Sequence, residues 1–226
     1  MIGIIGAMAV EVDAIKAMLK NKKAEAFGGI EFFRGTINEK DVVVAQCGIG
    51  KVFAAMCAEA MILNYKLEYI LNVGVAGALS EKLDVASIVI SSSLVQHDMD
   101  TTPLGDPIGM ISGLNIVNIE ANRDVISKVE EAVAVAGIKY EIGVIASGDQ
   151  FINDSKKKEY IKNTFNAIAC EMEGAAIAQV AYVNKVPFCV IRAISDKADG
   201  SSHVDFSAFT KMAVENSVRV IDALLK

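Results

Sequence analysis

Tryptophan is absent from the chain, and histidine occurs only at positions 97 and 203. Two histidines do not make the usual metal centre, so no metal is expected. Neither carries the local signature of a nucleophilic triad, and no G-x-S-x-G elbow is present. Cysteine is limited to Cys47, Cys57, Cys170 and Cys189, with no CxxC pair and apolar neighbours throughout. These read as buried free thiols of a reducing compartment, and a cytoplasmic location is expected. Arginine is confined to Arg34, Arg123, Arg192 and Arg219, and the net charge is -6. With no basic run, nucleic acid is not an expected partner. No apolar stretch reaches the length that spans a bilayer, so no membrane partner is expected either. The opening Met1-Ile2-Gly3-Ile4-Ile5-Gly6 lacks a charged leader region and reads as a first strand rather than a signal peptide.

What remains is a chain of 226 residues with 53% hydrophobic content, enough for a large core and one globular domain over 1–226. Its pattern alternates. Ile2–Ile5 is a strand, and Ala14, Ile15, Met18 and Leu19 recur at helical spacing up to the Lys20-Asn21-Lys22-Lys23 cluster. Strands at Ile30–Ile37 and Val42–Gln46 flank a hairpin turn at 38–41. Gly48-Ile49-Gly50 precedes a helix near Val52–Leu63, and strands at Tyr69–Val73 and Ser87–Leu94 are divided by a Gly/Ala loop. The stretch Gln96–Asn115, rich in Gly, Pro and Asp, reads as a long functional or partner-contacting loop. Helices follow at Arg123–Ala136, Ser155–Asn163, Gly174–Val183 and Phe206–Leu225, with strands at Glu141–Ser147, Asn166–Glu171 and Pro187–Ile194. Alternating strands and helices predict a three-layer α/β/α sandwich.

One stretch organises the chain. Ile168-Ala169-Cys170-Glu171-Met172-Glu173-Gly174 delivers two carboxylates from an apolar strand into a small-residue helix. Three further strand ends carry polar groups: Gly6-Ala7-Met8-Ala9-Val10-Glu11, Ser147-Gly148-Asp149-Gln150-Phe151 and Ala193-Ile194-Ser195-Asp196. Ligands of open α/β sheets bind at the carboxyl ends of strands, so four such ends suggest one site. Each piece has a plainer reading. Glu11 suits the start of a helix. Arg192 and Asp196 could form a structural pair. Phe151 could be ordinary core, and Gly74-Val75-Ala76-Gly77 could serve only close packing. Gly48-Ile49-Gly50-Lys51 resembles the tail of a phosphate-binding loop, but Ala45 replaces the first glycine and Val52 the Ser/Thr, so triphosphate binding is rejected. Together, acids without histidine, one arginine, an aromatic and methionines suit a flat apolar ring joined to a sugar, cleaved by an acid–base pair.

Gly6-Ala7-Met8-x-x-Glu11, Asn72-x-Gly74-x-Ala76-Gly77, Ser147-Gly148-Asp149-x-Phe151-Ile152, Glu171-Met172-Glu173 and Arg192-Ala193-Ile194-Ser195-Asp196 resemble, in order, the bacterial 5'-methylthioadenosine/S-adenosylhomocysteine nucleosidases. The resemblance implies the nucleoside phosphorylase fold with a mixed central sheet, a homodimer, no cofactor, and hydrolysis of methylthioadenosine, S-adenosylhomocysteine and 5'-deoxyadenosine to adenine. By it Asp196 is the general acid at the purine and Glu11 the base holding water, aided by Arg192. Glu173 takes the ribose hydroxyls, Met172 packs on the sugar, Phe151 stacks on adenine and the Ile152 backbone reads its edge. Met8 and Phe206 line apolar walls, Ala76 and Gly77 lie beside the base with Ser195 in the same site, and Ile49 comes from the partner subunit with the 96–115 loop. Glu171 inherits no catalytic role and is assigned to structure. Val75 stands where many members have serine, and Thr101 and Leu104 where they use Val and Phe. Three alternatives remain at this stage: a phosphate-dependent phosphorylase, a hydrolase of a larger nucleoside such as aminodeoxyfutalosine, and a non-catalytic adenosine-binding module.

Overall fold

The structure is a computed structural model that describes residues 1–198 and 206–226, with 206–210 described by backbone alone. Its strands are β1 (Ile2–Gly6), β2 (Lys20–Phe27), β3 (Ile30–Ile37), β4 (Lys40–Gln46), β5 (Tyr69–Ala78), β6 (Ile88–Gln96), β7 (Ile119–Glu120), β8 (Tyr140–Ser147), β9 (Ala167–Glu171) and β10 (Phe188–Asp196). The α-helices are α1 (Ala9–Met18), α2 (Lys51–Asn64), α3 (Arg123–Ala136), α4 (Ser155–Phe165), α5 (Gly174–Val183) and α6 (Phe206–Leu224).

All strands join one mixed sheet in the order β10-β6-β8-β9-β5-β1-β4-β3-β2, with β7 beside β6. Because β10 also pairs with β5, the strands β5, β9, β8, β6 and β10 close into a ring, and the β1–β4 side stays open. One face buries Ala54, Cys57, Ala58 and Met61 of α2 with Ala175, Ile177, Ala178 and Ala181 of α5. The other face buries Val12 and Ile15 of α1, Val125, Val129 and Val133 of α3, and Val220, Ile221 and Leu224 of α6. The chain is therefore the expected three-layer α/β arrangement. Each fully buried Ile, Val or Leu contributes about 1.5–3 kcal/mol, so two such cores hold the strand ends rigidly.

Three expectations need correction. The Lys20–Lys23 cluster does not end a helix: the helix stops at Met18, and the lysines open the exposed edge strand β2. Its signal was Gly28-Gly29, where φ values of +60° and +79° make the two-residue turn joining Phe27 to Ile30. The hairpin turn between β3 and β4 is Asn38-Glu39 alone, both with positive φ, because Ile37 already pairs with Lys40. Finally, the stretch 74–78 is strand rather than loop. Gly74 lies opposite Arg192 and Gly77 opposite Asp196 in the parallel β5–β10 pair. The short strand β7 was not anticipated.

Candidate active site

Four strand ends and their turns converge on one cavity of about 230 Å³. Its lining includes Met8, Glu11, Ile49, Ala76, Gly77, Phe151, Ile152, Met172, Glu173, Ser195 and Asp196, so eleven of the thirteen expected residues meet there. Arg192 lies beneath the floor, 1% exposed, and the side chain of Phe206 falls outside the described residues. Ile49, expected from a partner subunit, lines the cavity of its own chain.

Glu11 does more than complement a helix dipole. Its carboxylate folds back to accept from the amides of Ala7 (2.8 Å) and Met8 (2.9 Å), and its other oxygen accepts from the Val75 amide (3.1 Å). Three amides thus fix both oxygens at the junction of β1 and β5. Gly74 makes this possible, because a Cβ there would sit 2.7 Å from Glu11 Oε1 and 3.1 Å from Arg192 Nη1. The carboxylate and guanidinium approach over a backbone that has no room for a methyl group.

Arg192 does not pair with Asp196. Its Nη2 donates to Glu171 and to Asn72 Oδ1, and Glu173 Oε2 lies 3.8 Å away. Burial pulls this guanidinium's pKa down, but Glu171, Glu173 and Glu11 outweigh it and raise the net value. Glu171 also accepts from Ser147 Oγ and from the amides of Glu173 (3.1 Å) and Gly174 (2.7 Å). A buried carboxylate needs this many donors. It anchors both the arginine and the turn into α5. Glu173, by contrast, accepts the Gly50 amide at 2.9 Å while facing the cavity. Burial, and then the neighbouring Glu171 charge, push its pKa up to about 7 against the pull of Arg192.

Asp196 follows a register shift between Ile194 and Asp196 in the β5–β10 pair, a bulge that re-aims the end of the strand. Its carboxylate accepts from Ser195 Oγ (2.9 Å) and the Ala198 amide (2.9 Å). A Cβ on Gly77 would meet Asp196 Oδ1 at 3.0 Å, so this second glycine of β5 makes room for the second acid. The two acids therefore lie along β5, one beside Gly74 and one beside Gly77, and Glu173 lines the same cavity.

Asn72 and Gly50 were not read as site residues. A lone Asn in the apolar strand 69–73 was a usable signal; it is buried and bridges Arg192 to the Ile5 carbonyl. Gly50 gave none, since its amide reaches Glu173 across 123 positions of sequence. The cysteines are buried free thiols as expected, and burial raises each of their pKa values.

The model of one protein family, the phosphorylase superfamily, matches residues 1–226. A curated 5'-methylthioadenosine/S-adenosylhomocysteine nucleosidase of Staphylococcus aureus is 38% identical over 226 residues, covering 100% of this chain and 99% of the relative. The nucleosidase of Neisseria meningitidis, solved with methylthio-immucillin-A, superposes with a TM-score of 0.95 at 33% identity, covering 100% of this chain and 98% of that one. Futalosine hydrolase of Helicobacter pylori superposes with a TM-score of 0.93 at 34% identity, over 99% of this chain and 96% of that one. The chain belongs to the 5'-methylthioadenosine/S-adenosylhomocysteine nucleosidase family.

Proposed function

We propose that this protein is an N-glycosyl hydrolase that releases adenine from 5'-methylthioadenosine, S-adenosylhomocysteine and 5'-deoxyadenosine. The observation that carries this reading is the placement of Glu11, Glu173 and Asp196 around one apolar cavity walled by Met8, Phe151, Ile152 and Met172. Adenine lies between Phe151 and the Ala76-Gly77 backbone, its edge read by the Ile152 main chain. Asp196 donates a proton toward N7, so the C1'–N9 bond breaks with its electron pair on a neutral base. The ribosyl cation that develops is stabilised by the surrounding carboxylates. Water held by Glu11, with Arg192 beside it, forms the new C1'–O bond and gives its proton to Glu11. Glu173 accepts from the ribose hydroxyls, with Met172 against the sugar and Ser195 orienting Asp196.

Water rather than phosphate is the nucleophile. Glu11, Glu171, Glu173 and Asp196 outnumber Arg192, which is already committed to Glu171 and Asn72. A phosphate dianion needs a guanidinium clamp and would be repelled here. No cofactor or metal enters these steps.

The working unit is the single domain 1–226 as a homodimer. Val52, Phe53, Met56 and Leu63 of α2, Val183 of α5 and Leu104 of the 96–115 loop are exposed. An apolar surface of this kind, beside the site, supports a partner subunit whose 96–115 loop completes the pocket. Among the described residues no helix is long and apolar enough to cross a membrane, and the free thiols support a cytoplasmic location.

The likeness to futalosine hydrolase favours one second reading, the same chemistry on a larger 5' substituent. Chromatography of products from methylthioadenosine, S-adenosylhomocysteine, 5'-deoxyadenosine and aminodeoxyfutalosine, with and without phosphate, separates the cases. Adenine from the first three without phosphate is expected. A ribose-1-phosphate product, activity on aminodeoxyfutalosine alone, or no adenine from any of them would each overturn the proposal.

A further inference from the structure

The Gly48-Ile49-Gly50-Lys51 segment holds no phosphate signature, yet its backbone amides are tied to carboxylates of distant segments. Helix α2 begins at Lys51, has no acidic residue in its first turn and no side-chain cap from Gly50. A lysine at a helix N-terminus is the wrong charge for the dipole. Its orphan amides are satisfied instead by two distant carboxylates: Gly50 N–H donates to Glu173 Oε1 (2.9 Å) and Lys51 N–H to Asp149 Oδ1 (2.8 Å).

The Lys51 side chain turns away to donate to Asp98 Oδ1 (2.7 Å) and Gln96 Oε1 (3.1 Å). Asp98 in turn accepts the Asp149 amide on its other oxygen (2.9 Å). Lys51, Asp98 and Asp149 therefore form a closed ring of three hydrogen bonds. Gln96 extends it to Gln179 of α5 (2.7 Å). Burial would raise the pKa of Asp98, but Lys51 and the Asp149 amide override this and hold it below the usual carboxylate range. The Lys51 and Asp98 side chains are 20% and 16% exposed, so the pair is shielded from solvent. The ring joins the helix end that carries Ile49 and Gly50 to the segment that carries Phe151 and Ile152. It also joins both to the root of the 96–115 loop.

We propose that Lys51 is a positioning residue for the nucleosidase reaction, holding the N-terminus of α2 where the Gly50 amide orients the Glu173 carboxylate toward the sugar. The inference rests on the function proposed above. It explains why a cation sits where the helix dipole disfavours one. Without the ammonium, Asp98 is left with the Asp149 amide alone, and the turn at Gly50 loses its fixed distance from Glu173.

The test has two arms, one free of substrate. Amide hydrogen exchange by NMR on the unliganded protein is expected to speed up at Gly50 by about tenfold or more in Lys51→Met and in Asp98→Asn, with Lys51→Arg retaining protection. In steady-state assays with methylthioadenosine, Lys51→Met is expected to lower kcat/KM about tenfold, mostly through KM, and that loss should vanish in a Glu173→Gln background. Unchanged Gly50 exchange in both Lys51→Met and Asp98→Asn overturns the inference whatever the activity. An equal loss of kcat/KM in the wild-type and Glu173→Gln backgrounds reduces Lys51 to a structural role and also overturns it. A wild-type protein that releases no adenine instead refutes the proposed function, and the exchange arm still decides the ring.

Discussion

Adding one methyl group at Gly74 tests how tightly the water side of the site is built. An alanine Cβ would lie 2.7 Å from Glu11 Oε1 and 3.1 Å from Arg192 Nη1, where ordinary contact begins at 3.4 Å. The backbone of β5 is held on both flanks by β1 and β10, so the carboxylate must give way. Restoring contact moves Oε1 by about 0.7 Å, which breaks or bends its bond from the Val75 amide. A hydrogen bond to a charged group is worth about 1.5–3 kcal/mol, so kcat/KM for methylthioadenosine should fall about ten- to hundredfold. The loss should lie mainly in kcat, because in the proposed mechanism Glu11 holds the attacking water and does not touch the purine. Gly3→Ala is the control: its Cβ would strike Met61 Sδ at 2.6 Å in the core beneath α2, a similar clash distant from the acids. Both variants should lose about 1–3 kcal/mol in denaturant unfolding, since overpacking is costly anywhere. Only Gly74→Ala should lose turnover. A Gly74→Ala enzyme within threefold of wild type, or equal losses in both variants, would refute the claim that this glycine exists to admit Glu11 and Arg192.

Glu11→Gln and Asp196→Asn should each lower turnover at least about a hundredfold with an unchanged circular dichroism spectrum; near wild-type turnover removes that residue from the mechanism. For Glu173, a folded pKa of about 7 against an ordinary 4.5 means that the folded chain binds the extra proton. Its contribution to stability is fully present below about pH 4.5 and is lost as pH rises through about 7. Thermal unfolding of wild type relative to Glu173→Gln should therefore decline across that window, and parallel curves would refute the shift. In sedimentation the protein should be a dimer, and Val52→Lys on the exposed face of α2 should weaken it; a fully active monomer at assay concentration rules out the shared pocket.

The alternation of apolar runs with helical spacing was enough for the layer order, because burial periodicity is a local property of neighbouring residues. Helices α3 and α5 were placed to the residue, with Asn122 capping the first and a positive-φ Gly137 ending it. The strand-end acids were also legible, since a carboxylate leaving an apolar strand needs an explanation wherever it stands. Edge strand β2 was hidden because its residues are mostly exposed and lack the alternation of a half-buried strand. The role of β5 was hidden differently. Gly74 to Ala78 looks like a loop until Arg192 and Asp196 are seen opposite it, and pairing across more than a hundred residues leaves no local trace. Sequence alone could nominate Arg192 but offered Asp196 as its natural partner. Only the folded chain places Glu171 and Asn72 against the guanidinium and leaves Asp196 to Ser195 and Ala198. The same holds for Gly50 and Lys51. Which carboxylate meets which donor depends on distances fixed by the packing of two cores, and those distances exist only once the sheet has closed.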